Sequence, residues 1–265
     1  MRWRITFKGI VNSVVSLWLA SNVSAQVTVS NVPVADVFVR SADPAGNYGG
    51  AGSLAVSGLI ATNASGAQQG QFDSFMRFDV SGEVAAFNSN LGTGNWAISS
   101  ATLKLTEVGA PGNTVFNRGV GQFQVNWLAN DSWVEGTGNP GATTTDGIVW
   151  NDELSVLGGG QTTLGTFTNG GANGLRTLSL ATPSAFINDI TAGRLVSFYL
   201  NPTANSTVGF TFNSRSFGTA SAQPFLVLTA VAIPEPATLG LVGFSLLALA
   251  TLCCPRRKWN HGGID

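Results

Sequence analysis

Residues 101–106 read Ala-Thr-Leu-Lys-Leu-Thr, apolar and polar in strict alternation. A period of two places the apolar set on one face of an extended chain, which marks a half-buried strand. Residues 123–127 and 207–212 repeat the pattern. Within residues 72–80, Phe72, Met76, Phe78 and Val80 fall on one face, and Asp73, Arg77 and Asp79 on the other. Residues 34–40, 175–180, 195–200 and 225–231 are further strands. In the last of these both faces are apolar, which predicts a central strand beneath two layers. One stretch predicts a helix: Thr182 as N-cap, Pro183 in the first turn, Phe186, Ile187 and Ile190 on one face, and Gly193 as the stop. Many short strands parted by Gly-, Asn-, Ser- and Thr-rich turns predict an all-β sandwich or jelly roll. No fixed-period repeat is present, which argues against a propeller or β-helix.

The two ends break this pattern. Arg2, Arg4 and Lys8 precede a short apolar stretch at residues 10–19, and Val23-Ser24-Ala25 supplies small residues for cleavage after Ala25. That is the layout of a secretory signal peptide. Near the other end, residues 237–254 form an 18-residue run without a charge, within the span of about 17–25 residues that crosses a bilayer as a helix. Arg256-Arg257-Lys258 follows it, so the chain ahead of Pro234 is expected outside the inner membrane. Pro234-Glu235-Pro236, the apolar run and the basic cluster, in that order, resemble the PEP-CTERM sorting signal. The wording PEPATLGL at residues 234–241 strengthens the likeness. The resemblance implies cutting near the motif by an exosortase, a membrane cysteine transpeptidase, after transient anchoring in the inner membrane. Pro234, Glu235, Pro236, Arg256 and Arg257 are then the sorting residues. The expected division is 1–25 signal peptide, 26–231 β-sandwich, and 232–265 sorting signal with a transmembrane helix.

Composition narrows the chemistry of the exported part. Six of the 13 basic residues lie in the targeting segments, leaving seven basic against 12 acidic residues and a formal charge of −5. Nucleic acid, which needs many Lys and Arg to displace counterions, is a poor partner for such a domain. The single histidine is His261, and the cysteines are Cys253 and Cys254, all outside residues 26–231. Ser-His-Asp and Cys-His catalysis, zinc sites built on His or Cys, and disulfides are therefore excluded from the domain. Carboxylate chemistry and oxygen-ligand metal binding remain.

A second resemblance runs through the domain. In order stand Ala35-Asp36-Val37-Phe38-Val39-Arg40, Asn47-Tyr48-Gly49-Gly50, Leu54-Ala55-Val56, Phe75-Met76-Arg77-Phe78-Asp79-Val80, ISSATLKL at 98–105, Asp131-Ser132-Trp133-Val134-Glu135, Trp150-Asn151, and the closing segments 210–215 and 224–227. The set resembles the DNRLRE family, a jelly-roll module classed among carbohydrate-binding modules. Residues 85–95 and 156–161 are inserts relative to that pattern. The resemblance implies an antiparallel two-sheet jelly roll and contact with extracellular polysaccharide. Candidate ligand residues are Tyr48 in its glycine-rich turn, Trp96, Arg40 and Arg215. Such modules often carry structural calcium, for which Asp36, Asp43, Asn47 and Asp73 are oxygen-bearing candidates; turn-capping is the competing role for them. Trp127 is expected in the core, while Trp133 and Trp150 are expected to clamp the long break at residues 130–151 onto the sandwich. Arg77 and Asp79 read as a surface ion pair, or as a buried pair if the second face of their strand is covered.

The function expected is that of an exported, exosortase-processed, non-catalytic protein of the cell surface or extracellular matrix that touches polysaccharide. The alternatives are a polysaccharide lyase or glycosidase, and a purely structural matrix protein with no sugar site.

Overall fold

The computed structural model describes residues 24–63, 65–108, 120–143, 146–169 and 174–234. The apolar run 237–254, Glu235, Pro236, Arg256 and Arg257, and residues 1–23 of the expected signal peptide lie outside them. No helix among the described residues is long and apolar enough to cross a membrane.

Residues Gln26–Val231 form one compact unit. Its strands are β1 (Gln26–Asn31), β2 (Ala35–Arg40), β3 (Gly46–Asn47), β4 (Ser53–Ser57), β5 (Phe72–Asp79), β6 (Trp96–Val108), β7 (Gly121–Leu128), β8 (Ala142–Thr143), β9 (Gln161–Asn169), β10 (Gly174–Leu180), β11 (Leu195–Pro202), β12 (Gly209–Asn213) and β13 (Phe225–Ala232). Among the described residues three α-helices accompany them: α1 (Ser81–Leu91), α2 (Glu153–Leu157) and α3 (Ser184–Thr191). Eleven strands share one hydrogen-bonded sheet in the order β1-β13-β6-β12-β4-β5-β11-β7-β9, with β10 on β6 and β2 on β5. β3 and β8 make a separate two-stranded pair. The assigned pairings are antiparallel. β4 and β5 share one ladder pair, Ser57↔Phe72, and Ser74 Oγ of β5 accepts the Ala55 N–H at 2.9 Å and donates to the Ala55 carbonyl at 2.7 Å.

The main core lies inside the curl. Leu103 and Leu105 of β6, Phe210 and Phe212 of β12, and Leu226 and Leu228 of β13 pack with Met76 and Phe78 of β5, Val125 and Trp127 of β7, and Phe198 of β11. Leu103, Leu105, Val125, Trp127, Phe210 and Phe212, the six that alternation places inward on β6, β7 and β12, are all buried. β13 departs from expectation. Leu226, Leu228 and Ala230 are buried, but Val227 and Val231 are only half-covered, so two full layers do not enclose it. With β1 as the next and outermost strand, its outer face keeps partial access to solvent.

The helices carry two corrections. α3 starts at Ser184, after Pro183 at the cap position with extended backbone, and no side chain caps it, so Thr182 does not act as N-cap. Its Phe186 and Ile190 are buried as expected. α1, by contrast, was not expected; it overlaps the insert at residues 85–95. Val84, Phe87 and Leu91 recur at helical spacing and press on the core, the Asp79 carboxylate accepts the Ser81 N–H at 3.0 Å, and Gly92 at φ +88° ends the helix. The three apolar residues are spread over 11 positions among small and polar ones, which hid the period.

A second apolar cluster covers the opposite face of β2, β5 and β11. Val37, Val39, Phe75 and Tyr199 from the strands meet Trp133 and Ile148 from the long break, with Trp150, Val156 and Leu157 packed against them. The described parts of the break, residues 130–143 and 146–157, therefore supply a cover over the sheet, and Trp133 and Trp150 clamp it. This covering buries Asp73 and half-buries Arg77. Arg77 does not pair with Asp79. Its Nη1 donates to the carbonyls of Asp131 and Trp133, each at 2.6 Å, and its guanidinium lies 4.8 Å from the Trp133 ring.

Candidate functional site

An open groove of about 480 Å³ lies where the turn after β3, the covering segment and the chain after β12 converge. Gly49, Gly50 and Gly136 form part of its wall, Val34 and Val134 give it apolar sides, and Glu135 and Arg215 give it charge. The glycines are required by close approach. A Cβ on Gly49 would stand 2.3 Å from the Glu135 carbonyl oxygen. Gly136 has φ +83°, and a Cβ there would stand 2.4 Å from Asn47 Oδ1.

Asn47 fixes this convergence. Fully buried, its Nδ2 donates to the Glu135 carbonyl at 2.9 Å and the Ile148 carbonyl at 3.0 Å, and its Oδ1 accepts the Gly49 N–H at 3.1 Å. One amide thus ties the turn to both limbs of the covering segment, which is a clamp's geometry and leaves its polar atoms engaged.

Arg215 lies across the groove. Its Nη2 donates to Glu135 Oε2 at 2.6 Å, with Nε 3.2–3.3 Å from the same carboxylate. Its backbone N–H donates to Asp36 Oδ2 at 2.6 Å. Asp36 is 2 % exposed, and its pKa is pushed up to about 7, chiefly by burial and further by the Glu135 charge, against the Arg215 bond and charge.

The other candidates lie elsewhere. The Tyr48 ring is half-buried and stacked on Phe38, centroids 4.4 Å apart, and its hydroxyl donates to Asp43 Oδ2 at 2.8 Å. Burial and that carboxylate raise the tyrosine pKa. Arg40 donates Nε to the Gln69 carbonyl and lies 5.0 Å from the Phe72 ring. Trp96 is 9 % exposed, packed on Phe87 and bonded through Nε1 to Asn88 Oδ1 at 2.8 Å, so it serves α1 and the core.

The four proposed calcium ligands are not brought together. Asp36 pairs across the ladder with Met76, and Asp73 with Val39. Successive residues of a strand alternate faces, so these two carboxylates point to opposite sides of the sheet. Among the described residues no group of three or more His, Cys, Asp or Glu side chains is placed to hold a metal.

Asp73 instead joins a buried trio. The Tyr199 hydroxyl contacts Asp73 Oδ2 at 2.9 Å and also Glu153 Oε1, while Gln71 Nε2 donates to Asp73 at 2.9 Å. A phenol has one proton to give, so contact with two carboxyl groups requires a carboxyl proton as well. Burial first, then the Glu153 charge, pushes the Asp73 pKa well up, and burial followed by the charges of Asp73 and Glu153 raises the Tyr199 pKa above its ordinary value. The trio pins α2, and with it the covering segment, to β5 and β11. Sequence reasoning did not assign Glu153 or Glu135 any role. The one local signal for Glu153 is an acidic residue in the helix's first turn, which does not reveal its distant partners.

No protein-family model matches the chain, and no curated protein matches it in sequence.

Proposed function

We propose that this is an exported, exosortase-processed protein of the cell surface or extracellular matrix, without catalytic activity, whose domain is a two-sheet jelly roll that contacts polysaccharide through the Arg215–Glu135 groove. The jelly-roll reading is supported by the shortness of the β4–β5 ladder, one residue pair long, and by a core drawn from strands on both sides of it. The observation that carries the binding reading is the groove itself. It is open, walled by glycine backbone and two valines, and furnished with two cations, Arg215 and Arg77, and one carboxylate, Glu135, which together offer donors and acceptors. Sugar rings present hydroxyls and apolar faces together, and a site of this make-up suits them.

The hydrolase and lyase readings draw less support. Asp36 and Glu135 are the carboxyls nearest the groove, but Asp36 is buried behind the Arg215 backbone and Glu135 is held by the Arg215 guanidinium. Both domain tyrosines have raised pKa values, the opposite of what a base requires. A pull-down across insoluble neutral, mixed and acidic polysaccharides tests the proposal. Retention on at least one, without release of shortened sugar, supports it. Release of product points to an enzyme, and failure on every polymer leaves a purely structural matrix protein.

A further inference from the structure

Phe217 is 38 % exposed, the one aromatic among the large exposed apolar side chains of the described residues. The chain carries it to the groove. Arg215 and Ser216 line that groove, and Phe217 follows Ser216 directly, its Cα about 3.8 Å further on. The apolar sides of the groove, Val34 and Val134, are exposed as well. Scattered surface valines are ordinary, but an open phenyl ring one residue beyond a pocket wall is an informative exception to burial.

The turn that presents the ring is braced. The Phe217 N–H donates to the Ser214 carbonyl at 3.1 Å, and the Phe217 carbonyl accepts Gln223 Nε2 at 2.9 Å. Ser214 Oγ accepts the Ser216 N–H at 3.2 Å and lies 2.7 Å from Ser216 Oγ. The ring itself stacks on no other aromatic among the described residues. Phe87 and Trp96, in contrast, spend their faces on each other in the core. A fixed backbone under an open ring loses little freedom when a ligand arrives, which favours binding.

The chemistry of the site narrows the occupant. A phenyl ring has no hydrogen-bonding group, so its face accepts C–H surface. Neither groove cation waits for an anion. The Arg215 guanidinium is matched by Glu135 at 2.6 Å, and Arg77 Nη1 is turned to two backbone carbonyls, with its Nε shut away from solvent. A pyranose ring offers a C–H face bordered by hydroxyls and needs no counter-charge. We infer that Phe217 is the stacking residue of the groove and that the occupant is an uncharged pyranose polymer, with one ring on the phenyl face and neighbouring hydroxyls at Arg215 and Glu135. The inference rests on the reading of the groove as a polysaccharide site.

The test measures retention of the full chain, held in detergent micelles, on insoluble cellulose and β-1,3-glucan as neutral polymers and on immobilised polygalacturonate as a charged one. Wild type should be retained on a neutral polymer. Phe217→Ala should cost about fivefold or more of that retention with an unchanged melting temperature, since the ring is not part of the core. Phe217→Trp should keep it, and the new indole's emission should shift when soluble oligosaccharide of the retaining polymer is added. Leu154→Ala, which removes an exposed apolar side chain of α2, should change nothing. Wild-type retention in Phe217→Ala, with loss in Arg215→Ala, overturns the inference and leaves the groove reading standing. So does wild-type retention confined to polygalacturonate. Equal losses in Phe217→Ala and Leu154→Ala overturn it too, by showing general surface adhesion. A wild-type dimer that Phe217→Ala converts to monomer gives the ring to a second copy of the chain and overturns it as well. Retention of the wild type on none of the polymers removes the groove reading, and the inference with it.

Discussion

Asn47 separates two accounts of the turn at residues 43–50, metal ligand or clamp, and its replacement tells them apart. In Asn47→Ala three hydrogen bonds vanish, and the carbonyls of Glu135 and Ile148 and the N–H of Gly49 lose their partner. At a net of about 1 kcal/mol each, with more where a backbone group stays buried and dry, the loss is about 3–5 kcal/mol. Asn47→Asp is the sharper probe, because it preserves shape. The new carboxylate can still accept the Gly49 N–H, but it cannot donate, and it faces two carbonyl oxygens. Its protonated form restores one donor, so its pKa in the folded state is raised above about 3.9. An acid raised on folding holds its proton longer than in the unfolded chain, so the variant's stability falls as pH climbs above about 4. Urea melts of wild type and both variants at pH 5 and pH 8, with and without calcium, measure this. The clamp account predicts destabilised variants, with Asn47→Asp worse at pH 8 and not rescued by calcium. Wild-type stability in Asn47→Asp, with a calcium-dependent rise in Tm, would refute it.

The wild type should itself lose stability as pH rises from about 4, since the unfolded chain ionises there while Asp73 keeps a proton, and Asp36 adds the same slope up to about 7. Melts across that range check this, and Glu153→Gln, which removes the charge beside Asp73, should flatten the slope. Phe87→Ala empties the buried side of α1 and should cost about 3–5 kcal/mol by denaturant titration; a loss under about 1 kcal/mol would show that α1 is not part of the core. Tyr48→Ala should cost about 1–3 kcal/mol, less than a fully buried aromatic, because the ring is half-covered and stacked on Phe38. An unchanged melting temperature with reduced retention on polysaccharide would instead return Tyr48 to the binding surface.

The strands were legible because each half-buried strand carries its own period of two. Leu103 and Leu105, or Phe210 and Phe212, declare an inner face without reference to the rest of the chain. β5 shows where this stops. Asp73, Arg77 and Asp79 read as one solvent face, yet Asp73 is buried because Trp133, Ile148, Trp150, Val156 and Leu157 lie over that side of the sheet. A covering segment has no period to announce it; only Trp133 and Trp150, large apolar residues in a long break, hinted at a clamp. α1 was missed for a related reason, its helical face resting on Val84, Phe87 and Leu91 among small and polar residues. For the groove, Arg215 was a candidate ligand residue from the sequence, but Glu135 stood only within the family-like segment Asp131–Glu135; the two lie 80 residues apart and only the fold pairs them. Trp96 was a candidate ligand residue, and contact with Phe87 and Asn88 places it in the core instead.

The central claim is that polysaccharide is held in the groove, and the most direct measurement compares wild type with Arg215→Ala on whichever polymer retains the wild type. The change spares the backbone N–H bonded to Asp36, and a partly exposed ion pair contributes little stability, about 0–1 kcal/mol. Wild-type binding should be weak, with Kd between about 1 μM and 1 mM, and strengthened by many copies acting together on a matrix. The account predicts at least about a fivefold loss of retention in Arg215→Ala with an unchanged melting temperature, and a similar loss in Val134→Asp. Full retention of both variants would contradict it.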